Sequence, residues 1–217
     1  MRYPENCTPE NGSEPKNKSY IRFLHALPND PPVNVDIYVN GKLIVRNFKY
    51  EDFTEYLPAH SGAYTIQIFP TGNHIEQLFS AHITLENGMS YTAAIIGTVN
   101  DVGLELFADY SGEINKDYAY MRFINLSPTS GGVDIYIDDT PAVYDLNYME
   151  VTDYLMLESG KHTLKVLLTE NNERVVSHPN IVLKGGNVYT TYVVGLASGR
   201  PYIEVLIPLE GSSYLKY

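Results

Sequence analysis

The sequence predicts an all-β protein made of two tandem sandwiches of the immunoglobulin-like or transthyretin-like kind. Three observations predict it. One strand is written twice, as NVDIYVNG at 34–41 and again as GVDIYIDD at 132–139. Apolar and polar residues alternate with a period of two along much of the chain. Turn-forming pairs punctuate these runs at short, regular intervals.

The repeated strand sets the domain organisation. YIRFLHALP at 20–28 aligns with YMRFINLSP at 120–128, and after a two-residue deletion Val35-Asp36-Ile37-Tyr38 aligns with Val133-Asp134-Ile135-Tyr136. The match continues through Thr54-Glu55-Tyr56-Leu57 with Thr152-Asp153-Tyr154-Leu155, and through Gly88, Tyr91, Thr92 and Gly97 with Gly186, Tyr189, Thr190 and Gly195. A unit of this length is a domain rather than a solenoid repeat. The chain therefore reads as a polar arm (1–19), repeat 1 (20–112), a linker (113–118) within the polar stretch SGEINKD, repeat 2 (119–211) and a short tail (212–217).

Each element has a local reason. Val33, Val35, Ile37 and Val39 alternate with Asn34, Asp36, Tyr38 and Asn40, which predicts a half-buried strand. Tyr64–Phe69 and Thr163–Leu167 alternate in the same way. The stretches 90–96 and 189–194 are almost wholly β-branched, aromatic or small, as suits strands in the middle of a sheet. Asn40-Gly41, Ser61-Gly62, Asn87-Gly88, Ser159-Gly160 and Gly185-Gly186 supply the turns. The segments 48–53 and 146–151 have room for a helical turn.

Composition excludes several classes. The net charge of −11 repels nucleic acid and anionic lipid, and no Lys/Arg stripe offsets it. No run of eighteen apolar residues exists, so no membrane insertion is expected, and residues 1–19 show no apolar signal stretch. Cys7 is the single cysteine, so no disulfide forms within the chain and Cys7 is a candidate for an intermolecular link. Tyrosine is over-used, with 19 Tyr against 7 Phe and no Trp.

The ordered motifs RFLHALP, VDIYVNG, FTEYLP, SGAYT and G-x-x-Y-T-x-x-x-x-G resemble the bacterial domain-of-unknown-function 4397 family in both repeats. That resemblance implies β-sandwiches, often in tandem, often on exported or cell-surface proteins, and no catalytic residues. The second repeat departs from the pattern where His25 becomes Asn125 and Asn40-Gly41 becomes Asp138-Asp139.

No catalytic, cofactor or metal site is expected. The six histidines form no ligand spacing. His25 reads as a core histidine with a backbone partner, because Asn125 keeps a hydrogen bond but cannot act as a base. Arg22 with Asp36, and Arg122 with Asp134, are expected to pair across neighbouring strands. Tyr38, Tyr56, Tyr136 and Tyr154 are expected to form an exposed interaction surface. The function expected is therefore a non-enzymatic structural or interaction protein of a bacterial envelope or spore-surface layer, with protein partners or self-assembly. The alternative is a glycan- or peptide-binding module.

Overall fold

A computed structural model describes residues 18–216. Repeat 1 contributes β1 (Lys18–His25), β2 (Val35–Val39), β3 (Lys42–Phe48), β4 (Leu57–His60), β5 (Gly62–Pro70), β6 (Phe79–Leu85), β7 (Ser90–Thr98) and β8 (Asp101–Ala108). Repeat 2 contributes β9 (Tyr118–Asn125), β10 (Val133–Ile137), β11 (Thr140–Leu146), β12 (Leu155–Glu158), β13 (Gly160–Leu168), β14 (Arg174–Leu183), β15 (Val188–Val194) and β16 (Glu204–Leu206). A single 3-10 turn, Gly211–Ser213, is the only helical element among the described residues. The 48–53 and 146–151 segments form turns, each with a left-handed residue (Glu51 at φ 69° and Met149 at φ 67°) that an α-helix does not tolerate.

Each repeat is a two-sheet sandwich. In repeat 1 the sheet β4-β1-β7-β8 faces β3-β2-β5-β6, and in repeat 2 β12-β9-β15-β16 faces β11-β10-β13-β14. The pairs β1–β7 and β9–β15 are parallel, and every other named pair is antiparallel. β7, buried but for Thr98 at its end, and the all-buried β15 are indeed inner strands, which is why their sequence lacks alternation.

The hairpins follow from their turn residues. Asn40 and Gly41 both have positive φ (49° and 75°), the geometry a two-residue hairpin turn needs. Asp138 and Asp139 adopt it too (50° and 63°), and the Asp138 carboxylate repays the strain by accepting the Thr163 N–H at 2.8 Å, as Asn40 does from Thr65. Gly97 and Gly195 are required by close approach. A Cβ there would lie 2.0 Å from the Asp101 carbonyl oxygen and 2.2 Å from that of Tyr202.

Two cores sit between the sheets, one around Phe23, Ile37, Ile68 and Ile95, the other around Phe123, Ile135, Val166 and Val193. A third apolar cluster joins the repeats. Leu24, Ala26, Ala94 and Ile96 pack with Ile124, Leu126, Tyr192 and Val194, which are their repeat equivalents. The same face of the same two inner strands thus meets itself, as in a two-fold dimer written on one chain.

Candidate functional site

The outward face of β1 and β7 carries a buried polar network at the junction of the repeats. Arg22 Nε donates to Thr92 Oγ1 at 2.9 Å and Nη1 to the Leu209 carbonyl of repeat 2 at 2.7 Å. Its guanidinium lies over the rings of Phe53 and Tyr56, 5.0 and 4.7 Å from their centroids. Tyr56 donates to Asp109 Oδ2 at 2.5 Å. Repeat 2 copies the arrangement. Arg122 Nε donates to Thr190, its guanidinium covers Tyr154, and Tyr154 donates to Glu210 Oε1 at 2.7 Å. Arg122 also forms an ion pair with Glu210 at 3.0 Å, and Thr190 donates to the same carboxylate. Burial, and the neighbouring carboxylates, push the Tyr56 and Tyr154 hydroxyls far above the ordinary phenol range. They are hydrogen-bond donors here, not acids.

This arrangement corrects the expected pairs. Arg22 does not meet Asp36, and Arg122 does not meet Asp134, because each pair belongs to opposite sheets and points away from the shared core. Asp36 instead accepts from the Asn47 N–H at 2.8 Å, from Thr71 Oγ1 at 3.0 Å and from the Gly72 N–H at 3.4 Å. Burial alone would raise its pKa, but these donors outweigh it and hold the carboxyl below its ordinary value. Asp134 accepts from the Asp145 N–H at 2.9 Å and Thr169 Oγ1 at 2.7 Å. Both aspartates stitch the bulged β2–β3 and β10–β11 hairpins.

The expected tyrosine surface divides in two. Tyr56 is buried and Tyr154 half-buried, both tied into the junction. Tyr38 and Tyr136 remain half-exposed, with Tyr38 bonded to His74 Nδ1 at 2.9 Å. Cys7 lies outside the described residues. Asp109 and Glu210, which complete the network, were not singled out from the sequence. The signal for them is an acidic residue closing each repeat, in FADY and PLEG, obscured by a change of residue type and of loop length.

His25 is fully buried, its Nε2 2.9 Å from the Val33 carbonyl, with Nδ1 accepting from the Leu27 N–H at 3.4 Å. Burial lowers its pKa against the pull of the Val33 carbonyl. Asn125 repeats the pattern, accepting from the Ser127 N–H at 3.0 Å and donating to Leu146. Among the described residues no group of three or more His, Cys, Asp or Glu is placed to hold a metal ion.

The two repeats also share a cleft. In repeat 1 it opens between the edge strands β3 and β4, with Ile44, Pro58 and His60 at the mouth and the core residues Phe23, Ile66 and Leu85 at the floor, and has a volume of about 260 Å³. In repeat 2 it opens between β11 and β12, beside Ala142, Met156 and His162, with about 510 Å³. The second is larger, and Ala142 stands in it where repeat 1 has Ile44. At its rim His162 Nδ1 lies 2.6 Å from Asp138. Partial burial would lower the His162 pKa, but Asp138 and the Glu158 carbonyl raise it overall.

The family model described as a domain of unknown function (DUF4397) matches residues 19–134 and 119–207. No curated protein matches the chain. Among solved structures, family 41 carbohydrate-binding modules from streptococcal virulence factors are 14% identical with a TM-score of 0.25, covering 72% of this chain and 84% of that one. A candidate cell adhesion protein from Bacteroides eggerthii is 11% identical with a TM-score of 0.21, covering 90% of this chain and 96% of that one. No helix among the described residues is long and apolar enough to cross a membrane.

Proposed function

This chain belongs to the DUF4397 family, and on that premise we propose that it is a non-enzymatic interaction protein of a bacterial surface layer. Each sandwich presents an open edge to an extended polypeptide partner. One observation carries this reading: a cleft lies between free edge strands at the same place in both repeats, apolar in repeat 1 and rimmed by Asp138, Glu158 and His162 in repeat 2. Such an edge offers unpaired backbone groups, and the cleft offers a pocket for alternate side chains of an added strand. The junction network, by contrast, is filled by the chain's own side chains and works as internal glue. Withdrawal of Tyr56 and Tyr154 into that network removes two of the four tyrosines expected to offer a surface for sugar stacking.

The test is a titration of ¹⁵N-labelled protein with extended peptides of alternating apolar residues, and separately with soluble oligosaccharides. Peptides should perturb amides of β3, β4, β11 and β12. Perturbation by oligosaccharides alone, centred on exposed tyrosines such as Tyr144 and Tyr202, would replace the peptide reading with the glycan one. Turnover of either ligand would overturn the non-enzymatic reading.

A further inference from the structure

We propose that the partner at these edges is a second copy of this chain, with β3 of one molecule pairing with β12 of the next. The inference rests on the open-edge reading above and names the occupant.

Four strands border the clefts; two carry a proline, and β3 and β11 are bulged against their inner neighbours. Pro58 deprives β4 of an N–H donor, and Pro141 does the same for β11. Neither β3 nor β12 contains proline. Their charges are opposite. In a chain of net −11, the stretch 37–50 carries Lys42, Arg46 and Lys49 and no carboxylate, whereas β12 ends on Glu158 and follows Asp153. Copies of β3 paired with each other would set cations side by side, parallel copies of β12 would do the same with Glu158, and antiparallel copies of β12 would bring no opposite charge to it. Only the mixed pairing is complementary.

The apolar residues set the register. Ile44 is 40% exposed at the centre of β3, and Met156 is 57% exposed on β12. With these two opposite each other, Glu158 is carried toward Arg46 in a parallel pairing and toward Lys42 in an antiparallel one, the bulges of β3 breaking its strict two-residue alternation. Either orientation finds a cation. Val45, which packs against the core of its own sandwich, then continues the apolar face of Leu155 and Leu157. Ile44 also arrives beside the larger cleft, where Ala142 leaves room for it. Because the two surfaces differ, the contact repeats head to tail and builds an open chain of molecules.

Sedimentation velocity on the full chain up to about 1 mM, in reducing buffer so that no link through Cys7 contributes, tests this. Species should grow with concentration, and raising salt from about 50 to 500 mM should weaken association at least about tenfold. Lys42→Glu with Arg46→Glu in one variant, and Glu158→Lys with Asp153→Lys in another, should each be monomeric alone. An equimolar mixture of the two should associate again. A wild type that stays monomeric, or association that persists in either variant alone, overturns the inference. In that case peptide-induced shifts on β3 and β12 would still support the open-edge reading, and their absence would remove both.

Discussion

Asp109 and Glu210 are each held by the residue that follows the other. The Tyr110 N–H donates to Glu210 Oε2 at 2.7 Å, and the Gly211 N–H donates to Asp109 Oδ2 at 3.0 Å. Asp109 also accepts from Tyr56 and Ser90 of its own repeat, and Glu210 from Tyr154 and Thr190 of its own. Separation would remove these two crossed bonds and leave each carboxylate with the donors of its own repeat, at a cost of about 1–3 kcal/mol for each lost charged hydrogen bond.

Arg122→Leu should be the most damaging single change in this network. It leaves Glu210, which is 0% exposed, without its cation, and about 3–5 kcal/mol should be lost in urea unfolding. The double variant Arg122→Leu/Glu210→Gln should recover a good part of that loss, because no unpaired charge remains and the amide oxygen can still accept from Tyr154 and Thr190. A double variant no better than the single one would show that Glu210 is not paired to Arg122.

Fragments 18–112 and 116–216 should each fold, since each holds its own core, but both then expose the Leu24–Ile96 or Ile124–Val194 face. Mixed, they should associate in trans, and either alone should form weaker homodimers through the same face. Isothermal titration calorimetry would check this. Fragments that remain separate at high micromolar concentration would contradict the shared cluster.

His25→Asn imports the residue of the second repeat without its partners. The amide keeps an acceptor for the Leu27 N–H but is shorter than the imidazole that reaches Val33, and the loss should be about 1–3 kcal/mol. The variant should also lose a pH dependence. The folded His25 pKa is depressed, so the wild type's stability from this site is present above the unfolded pKa near 6.5 and is lost as pH falls toward the folded value. Thermal unfolding from acid to neutral pH should be flatter in the variant.

His162 works in the opposite sense. Its folded pKa is raised by Asp138, so the pair's contribution is present below the unfolded pKa of about 6.5 and fades as pH rises through the folded value. On the acid side Asp138, whose pKa is depressed by the Thr163 N–H and then by His162, loses its share as pH falls below the ordinary carboxylate range. The carboxylate is half exposed, so His162→Gln should cost no more than about 1 kcal/mol, and only between these limits. Equal melting temperatures for wild type and variant throughout that window would contradict the pairing.

What the sequence by itself determined is local. The alternation around Ile37 and Ile135, the left-handed turn at Asn40-Gly41 and the run of inner-strand residues at 90–96 depend on side-chain parity and backbone torsion, which neighbouring residues settle among themselves. Parity also placed Arg22 opposite Phe23 and so outside the core. It could not say what covers that outside face, and the expected partner, Asp36, turned out to belong to the opposite sheet. The actual partners, Leu209 in the other repeat and the aromatic faces of Phe53 and Tyr56, are brought to Arg22 by the pairing of the 53–57 segment with β1 and by the packing of one sandwich on the other. The clefts have the same origin. Their walls are ordinary strand residues, and only the separation of two sheets at an open edge, with Ala142 in place of Ile44, makes a space there. Contacts between residues nearly two hundred positions apart depend on how whole faces meet, and a periodic pattern marks the face without marking its partner.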